Sequence, residues 1–188
     1  DVPQAPDGEY TNLKEAKVIA RMAKAIMAEH GSARSAMIGI ITAFQQQVLL
    51  IQGELMRLLP ANYAKSVLVG TVEQYQGQGR PVILISTVRA ERDSLLPGSH
   101  KSIGFVGNEA KTNVAVSRAE SMLVVVGDHK QFLDCDEDEK EPWLQIARSF
   151  QQRQAVVSLQ EMDRRLDAII PAKKGHVLPS PVSPNRRF

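Results

Sequence analysis

The chain has 188 residues, of which 43% are hydrophobic, and a formal net charge of +2. This length supports one well-buried domain and excludes two large ones, and the near-neutral charge excludes a general polyanion binder. The single cysteine, Cys135, excludes an internal disulfide and fits a reducing compartment, and with four scattered histidines it gives no metal-ligand spacing.

The two ends of the chain differ in composition from the middle. Residues 1–11 are rich in proline and acidic residues, and we expect a linker or an entry strand there. Residues 171–188 contain four prolines and basic residues but no acids, which predicts a disordered tail that contacts RNA or a protein partner. No apolar run is long enough to span a membrane, and the chain begins at Asp1 without a signal peptide. We therefore expect an excised piece of a longer protein, with one domain at 12–170 and no membrane partner.

Hydrophobic periodicity predicts the secondary structure of that domain. In chain order we expect a helix at 13–30, a strand at 37–41, a helix at 48–59, strands at 67–69 and 82–88, a helix from 112, a strand at 122–126, a helix at 143–150, a short edge strand at 155–157 and a helix at 159–170. Thr11 or Asn12 is expected to cap the first helix, which stops at His30-Gly31, and Thr112 to cap the fourth. In that fourth helix Ala115 and Ala119 are expected one turn apart, which allows close approach to the sheet.

The alternation of strands and helices predicts the fold class. Continuous apolar strands suit a sheet that is covered on both faces, and right-handed crossovers put helices on those faces. The expected fold is α/β, with a mostly parallel sheet, helices on both faces and a single domain.

Three stretches carry functional signals. The glycine-containing turn at 70–79 follows a strand, so its backbone N–H groups can hold an anion, to which Arg118 on a following helix can add charge. The loop at 89–104 has an excess of positive charge, and phosphate-backbone contact and a solvated surface both stay open as interpretations. At the strand-to-helix junction, periodicity alone favours Phe44 as a core aromatic and the glutamines after it as a solvated first turn.

The usual parts of a nucleotide hydrolase are missing. The sequence contains no G-x-x-x-x-G-K-[ST] segment, and no acidic pair follows a strand where Mg²⁺ would be held. An active site that uses a nucleotide would therefore have to be completed from outside these residues.

Six segments resemble a known family. A resemblance to motifs five and six of superfamily-one helicases is found in four of them: Gly70-Thr71-Val72-Glu73-Gln74-Tyr75-Gln76-Gly77-Gln78, 82–89, Ile103-Gly104-Phe105 and Asn113-Val114-Ala115-Val116-Ser117-Arg118-Ala119. Residues 38–47 resemble motif four, and residues 12–16 resemble the short motif before it. Within that superfamily the chain is most similar to the up-frameshift type, especially to the Armitage-like RNA helicases of small-RNA silencing. The resemblance covers about 12–127, in order and at the family's spacing.

The resemblance implies a second RecA-like lobe of an ATP-dependent helicase. ATP would lie between this lobe and a first lobe of the same protein, which would hold the Walker lysine and the Mg²⁺-binding acids. The isolated chain would then be inactive. Residues with expected nucleotide roles are Arg118 as the arginine finger on the γ-phosphate, Gly77 with its neighbour Gln76 as a phosphate contact, Phe44 beside the adenine and Gln47 as a support in the same cleft.

The resemblance also implies a nucleic-acid partner. Thr71 and the loop that contains Arg89 and Arg92 would face the phosphates of single-stranded RNA, and the sequence does not separate RNA from DNA. A cytoplasmic location, including RNA granules, is expected by the same analogy.

The sequence departs from the family at two places. Gly79 stands where the family usually has glutamate, with Pro81 in place of an acid two residues further on, and Ala43 and Gln45 replace a proline and an arginine in motif four. The lost glutamate belongs to the nucleotide side. Two alternatives therefore stay open: a degenerate helicase lobe that binds RNA or protein without turnover, and an unrelated α/β nucleotide-binding domain.

Overall fold

A computed structural model describes residues 11–88, 109–128 and 141–170. Its strands form one four-stranded parallel sheet in the order β2-β1-β3-β4. The strands are β1 (Ile38–Thr42), β2 (Leu68–Thr71), β3 (Arg80–Ser86) and β4 (Ala119–Val126). The helices are α1 (Leu13–His30), α2 (Gln45–Leu58), α3 (Ala61–Ser66), α4 (Glu109–Ser117), α5 (Glu141–Gln152) and α6 (Leu159–Ile169), with 3₁₀ turns at Ser32–Met37 and Glu73–Tyr75. The predicted α/β class with a parallel sheet is confirmed.

The predicted limits of α1 are confirmed. The Asn12 side chain accepts a hydrogen bond of 3.1 Å from the backbone N–H of Glu15, which satisfies one of the free donors in the first turn. At the other end Gly31 has a φ of 88°, a left-handed value that glycine adopts without a steric penalty and that ends the helix.

The sheet separates two apolar cores because successive side chains of a strand point to opposite faces. Ile38, Ile40 and Leu84 face α1, α2 and α3, and Leu166 of α6 joins that layer. The opposite core contains Ile41, Tyr75, Ile83, Ile85, Ala115 and Trp143, and so involves α4 and α5. All five residues of β1 are buried, as expected for a central strand. Helices therefore cover both faces.

The connection from β2 to β3 is short and lies against the second face of the sheet. Tyr75 in this connection is fully buried, and its hydroxyl donates to the carbonyl of Leu68 at 2.6 Å and accepts from the N–H of Ile40 at 2.9 Å. Burial raises the pKa of Tyr75 above its usual range. A side chain at Gly39 would begin 2.8 Å from that hydroxyl and 2.7 Å from Ile83, so the close approach of Tyr75 requires a glycine there.

Three sequence expectations on element limits were wrong. Thr112 does not cap α4, because the helix begins at Glu109 and Thr112 is buried within it. Ala119 is not helical: it begins β4, where it pairs with Arg80, so the strand starts before the predicted residue 122. Periodicity missed this start because the first residues of β4 are largely exposed.

The edge strand predicted at 155–157 is also absent, since these residues form no regular structure. They follow a C-terminal turn that closes α5. The N–H of Ala155 donates to Phe150 at 2.8 Å, the N–H of Gln154 donates to Gln151 at 3.0 Å, and Gln154 has a φ of 53°. This is the Schellman arrangement, which uses the backbone donors for the helix end and leaves Ala155 unable to enter a strand ladder through its N–H.

The last helix is fastened to the first. Arg21 of α1 forms ion pairs with Asp163 and, at 2.7 Å, with Asp167 of α6, while Leu166 between them is buried. None of the helices in the described ranges is long and apolar enough to cross a membrane. The tail and linker expected at 171–188 and 1–10, and the basic loop with Arg89 and Arg92, lie outside the described residues.

Candidate functional site

The parallel sheet has two chemically different edges. The amino edge is where the strands begin, at Ile38, Leu68, Arg80 and Ala119, and the carboxyl edge is where they end, at Thr42, Thr71, Ser86 and Val126. A seven-residue strand rises about 3.3 Å per residue, so the edges are about 20 Å apart. The candidate residues divide between these two edges.

Arg118 lies at the amino edge, in the single-residue turn between α4 and β4. Its Nε donates to the carbonyl of Val114 at 3.2 Å, and its Nη2 donates to the Ser117 hydroxyl at 3.0 Å. Its own carbonyl accepts from the N–H of Arg80 at 2.9 Å. Among the residues that the structure describes, no carboxylate forms an ion pair with the half-buried Arg118.

The loop 76–79 approaches the same edge. The N–H of Gln78 donates to Tyr75 at 3.1 Å, which ties the loop to the buried tyrosine. Gly77 is exposed, has a φ of 75°, and has no atom within 4 Å of the place a side chain would take. The backbone then reaches Gly79, whose Cβ position is 3.6 Å from the Arg118 carbonyl. Gln76, Gly77 and Arg118 are therefore brought to one edge, as predicted for one site.

This arrangement is suited to binding an anion. An exposed backbone in a left-handed conformation allows close approach of a ligand, and a guanidinium supplies a permanent charge with a planar fork of donors. This edge therefore offers an anion both an exposed backbone and a charged donor.

The carboxyl edge carries a row of hydroxyl side chains. Thr42 pairs in register with Thr71 on one side and with Ser86 on the other. The Thr71 N–H donates to the Gln74 side chain at 2.9 Å, and the Thr42 hydroxyl is buried without a hydrogen-bond partner in the described residues. Phe44 follows β1 at the same edge, as the residue before α2.

Behind that row lies a buried polar network centred on Glu15. The Glu15 carboxylate accepts from the Ser86 hydroxyl at 2.6 Å, from the Val88 N–H at 2.8 Å and from the Asn12 amide at 3.2 Å. Val88 has a φ of 71°, an unfavourable value for a β-branched residue, and the Asn12 amide also donates to its carbonyl at 3.2 Å. The network holds the end of the β3 segment in this strained conformation.

Gln47 completes the network. Its Oε1 accepts from the Asn12 N–H at 2.8 Å, and its Nε2 donates to the Asn12 carbonyl at 3.0 Å and to the Ser86 hydroxyl at 3.1 Å. The side chain is fully buried. These contacts link α1, α2 and β3, and they give Gln47 a structural role.

Burial controls the charge of Glu15. Removal of water raises the pKa of Glu15 from 4.5 to about 7, because this cost of the charged form outweighs the hydrogen bonds from Ser86, Val88 and Thr87. Near pH 7 the carboxyl group is therefore divided between its neutral and ionised forms.

The structure does not bring all the predicted nucleotide residues together. Phe44 and Gln47 lie at the carboxyl edge with Thr71, whereas Gly77 and Arg118 lie at the amino edge. Motif four follows the end of β1 and motif six precedes the start of β4, and in a parallel sheet these positions are at opposite ends. The adenine and cleft-support roles of Phe44 and Gln47 stay predictions, and Arg89 and Arg92 lie outside the described residues.

Sequence reasoning missed two residues. Glu15 was matched only as part of a motif, although an acid flanked by the buried apolar face of a helix is itself a signal of an internal partner. Glu120 was not singled out, because its position beside Gly79 depends on the pairing of β3 with β4. Within the described ranges, no group of three His, Cys, Asp or Glu side chains is placed to hold a metal ion.

Comparison with known proteins identifies the family. A family model described as an AAA domain matches residues 2–130. The chain belongs to this family of up-frameshift-type superfamily-one helicases. The family expected from the six segments is thereby confirmed, and this helicase-family domain has the RecA-like α/β fold.

Curated relatives carry helicase names. The chain is 40% identical over 91 residues, 48% of its length, to "Probable RNA helicase armi" of Drosophila melanogaster. It is 38% identical over 92 residues, again 48% of its length, to "RNA helicase Mov10l1" of Homo sapiens. It is 28% identical over 160 residues, 85% of its length, to "Probable helicase senataxin" of Mus musculus. The match covers only 7%, 7% and 6% of these relatives, respectively.

The Glu15 network gives a pH-dependent prediction. The folded state keeps a proton on Glu15 up to about pH 7 because its pKa is raised, whereas the unfolded chain loses that proton near 4.5. The contribution of Glu15 to the free energy of unfolding is therefore fully present below pH 4.5, and it is lost as the pH rises through 7. Relative to Glu15→Gln, which does not titrate, the free energy of unfolding of the wild type should fall by roughly 3 kcal/mol between pH 4 and 8.

Urea unfolding of both proteins across that pH range measures this difference. Glu29→Gln, at an exposed position near the end of α1, is the matched control; because it keeps Glu15, its free energy of unfolding should fall with pH as that of the wild type does. A difference between wild type and Glu15→Gln that is flat with pH would contradict the buried carboxyl assignment.

Proposed function

We propose that this chain is the second RecA-like lobe of an ATP-dependent RNA helicase. Its amino edge would face ATP held by a first lobe of the same protein, and its carboxyl edge would form part of the track for single-stranded RNA. The observation that carries the proposal is that Arg118 and the loop 76–79 share the amino edge.

Arg118 has the properties that an arginine finger needs. Bound ATP supplies the phosphoryl group that is transferred to water, and charge on that group is best stabilised by a fixed and permanently ionised donor. The hydrogen bonds to Val114 and Ser117 limit the side chain's freedom, and the exposed Gly77 backbone adds a second contact surface for phosphate. In related enzymes such an arginine contributes about 10³ to 10⁵ in rate.

Mg²⁺ would be held by acids of the first lobe. Neither the described residues nor the sequence motifs of this chain supply a ligand set for it. The chain alone is therefore expected to bind nucleotide weakly and to show no turnover, since each lobe would carry half of the site.

The carboxyl edge suits a sugar-phosphate backbone. Thr71 would donate a neutral hydrogen bond to a phosphate oxygen, and Phe44, which precedes α2 at the same edge, would offer an aromatic ring to a base. The RNA helicase names of armi and Mov10l1 support RNA as the partner. In the sequence Arg89 and Arg92 come three and six residues after the end of β3, and they would add charged phosphate contacts.

A second candidate function is a binding module without turnover. It is favoured by Gly79, which stands where the family usually carries a glutamate on the nucleotide side. Hydrolysis by the full-length protein separates the two, because a pure binding module would bind RNA and leave ATP intact.

Arg118→Lys in the full-length protein tests the finger role. Lysine keeps the charge but cannot reproduce the planar fork of donors, so RNA-stimulated hydrolysis should fall at least about 100-fold while RNA affinity stays nearly unchanged. Arg57→Lys, on the exposed surface of α2 and paired with Glu54, is the matched control and should hydrolyse ATP at the wild-type rate.

Two outcomes would count against this proposal. An Arg118→Lys protein with the wild-type hydrolysis rate would exclude the arginine-finger role. Full-length wild type that binds RNA but shows no RNA-stimulated hydrolysis would exclude the enzyme and leave the binding module.

The two kinds of RNA contact predict different salt behaviour. Thr71→Val removes a neutral donor, so single-strand affinity should fall roughly fivefold with the salt dependence unchanged. Arg89→Ala with Arg92→Ala should lower the slope of log affinity against log salt by about 0.7 for each lost phosphate contact. Fluorescence titrations at several salt concentrations measure both quantities.

An unchanged affinity in Thr71→Val would show that the carboxyl edge lies outside the RNA track. An unchanged slope in the double arginine variant would show that the basic loop is only a solvated surface.

A further inference from the structure

A carboxylate from a neighbouring strand occupies the space beside Gly79. A Cβ added to Gly79 would lie 2.9 Å from Oε1 of Glu120 and 3.7 Å from its Cδ. Glu120 is the second residue of β4, and it is exposed. The missing side chain at Gly79 is therefore what gives the Glu120 carboxylate its place at the amino edge.

The pairing of β3 with β4 explains this position. Arg80 pairs with Ala119, and the register shifts between Arg80 and Val82, so the ladder is irregular where Glu120 lies. The Arg80 N–H also donates to the Arg118 carbonyl at 2.9 Å, which holds Gly79 against the start of β4. Glu120 is consequently two residues from Arg118 along the chain and adjacent to the loop 76–79 in space.

The chemistry of this carboxylate restricts what it can recognise. An ionised carboxylate only accepts hydrogen bonds, so it repels phosphate oxygens and needs a donor. Arg118 and the Gly77 backbone are donors, so phosphate groups would contact them instead. In a ribonucleotide, the donors nearest the phosphates are the hydroxyls of the ribose.

We propose that Glu120 is a specificity-determining residue that accepts a hydrogen bond from a ribose hydroxyl of the bound ATP. This inference rests on the proposed nucleotide role of the amino edge. The carboxylate that relatives are expected to carry at position 79 would thus be supplied here from β4, with Gly79 providing the space. The departure at Gly79 then does not remove the acceptor from the site.

The first test compares nucleotides that differ only in the sugar. In the full-length protein, Glu120→Ala should raise the KM for ATP roughly tenfold, the value of one hydrogen bond to a charged group, and should change kcat less than twofold. The same two proteins are then compared with 2′-deoxy-ATP and 3′-deoxy-ATP, one of which lacks the hydroxyl that Glu120 contacts. For that nucleotide, the KM of wild type and the KM of Glu120→Ala should be equal. Glu29→Ala, at an exposed glutamate near the end of α1, is the matched control and should leave all three KM values unchanged.

The second test moves the carboxylate without unfolding the protein. Gly79→Ala places a methyl group 2.9 Å from Oε1, and the flexible end of Glu120 can move away at little cost. This variant should keep the wild-type melting temperature and lose the discrimination between ATP and the deoxynucleotide. Gly79→Glu alone should also weaken ATP binding, because two carboxylates would compete for one place. The double variant Gly79→Glu with Glu120→Ala should recover most of the affinity for ATP.

The outcomes separate this inference from the proposal on which it rests. Wild type that hydrolyses ATP but shows the same sugar discrimination in Glu120→Ala overturns the ribose role and leaves the proposed function intact. A KM that rises equally for ATP and both deoxynucleotides assigns Glu120 a structural or electrostatic role and also overturns it. Full-length wild type that neither binds nor hydrolyses ATP overturns both.

Discussion

The short connection between β2 and β3 is the constraint on which the arrangement of this domain depends. Residues 72–79 must return the chain from the carboxyl edge to the amino edge with only one 3₁₀ turn. The Tyr75 hydroxyl makes this possible, because it bonds to the backbones of both β1 and β2 and holds the connection flat against the sheet. An ion pair of 2.6 Å between Glu73 and Lys111 ties the same turn to α4 and lowers the pKa of Glu73. The loop that contains Gly77 therefore lies at the same edge of the sheet as Arg118.

The carboxyl edge depends on a different set of forces. There, buried polar groups of α1, α2 and β3 satisfy one another, and the carboxyl group of Glu15 is the shared acceptor. Such a network fixes three elements in one geometry only when each member has its partner, because an unsatisfied polar group in a dry interior is costly. The strained conformation of Val88 is a product of this network, and it sets the direction in which the chain leaves β3. The two edges are thus stabilised by different contacts. The Tyr75 hydroxyl holds the β2–β3 connection at the amino edge, and the buried Glu15 network holds the carboxyl edge.

The fold class and much of the secondary structure could be predicted from the sequence. The cap at Asn12, the stop at Gly31 and the buried run of β1 each depend on local residues, and local pattern reports them well. The strand expected at 155–157 failed because apolar residues after a helix can serve its C-terminal turn, which pattern alone does not reveal. For the site, motif resemblance grouped Phe44 and Gln47 with Arg118 and Gly77. Only the direction of the strands shows that these residues lie at opposite edges, and only the β3–β4 pairing brings Glu120 to Gly79.

The proposal that the amino edge contacts ATP and the carboxyl edge contacts RNA can be tested directly. The test is an experimental structure of the full-length protein with a non-hydrolysable ATP analogue, Mg²⁺ and a single-stranded RNA oligonucleotide. We expect the γ-phosphate within hydrogen-bond distance of the Arg118 guanidinium and the Gly77 backbone, at the amino edge. We expect RNA phosphates beside Thr71, about 20 Å away at the carboxyl edge. A γ-phosphate bound at the carboxyl edge, with Arg118 facing solvent, would contradict this arrangement.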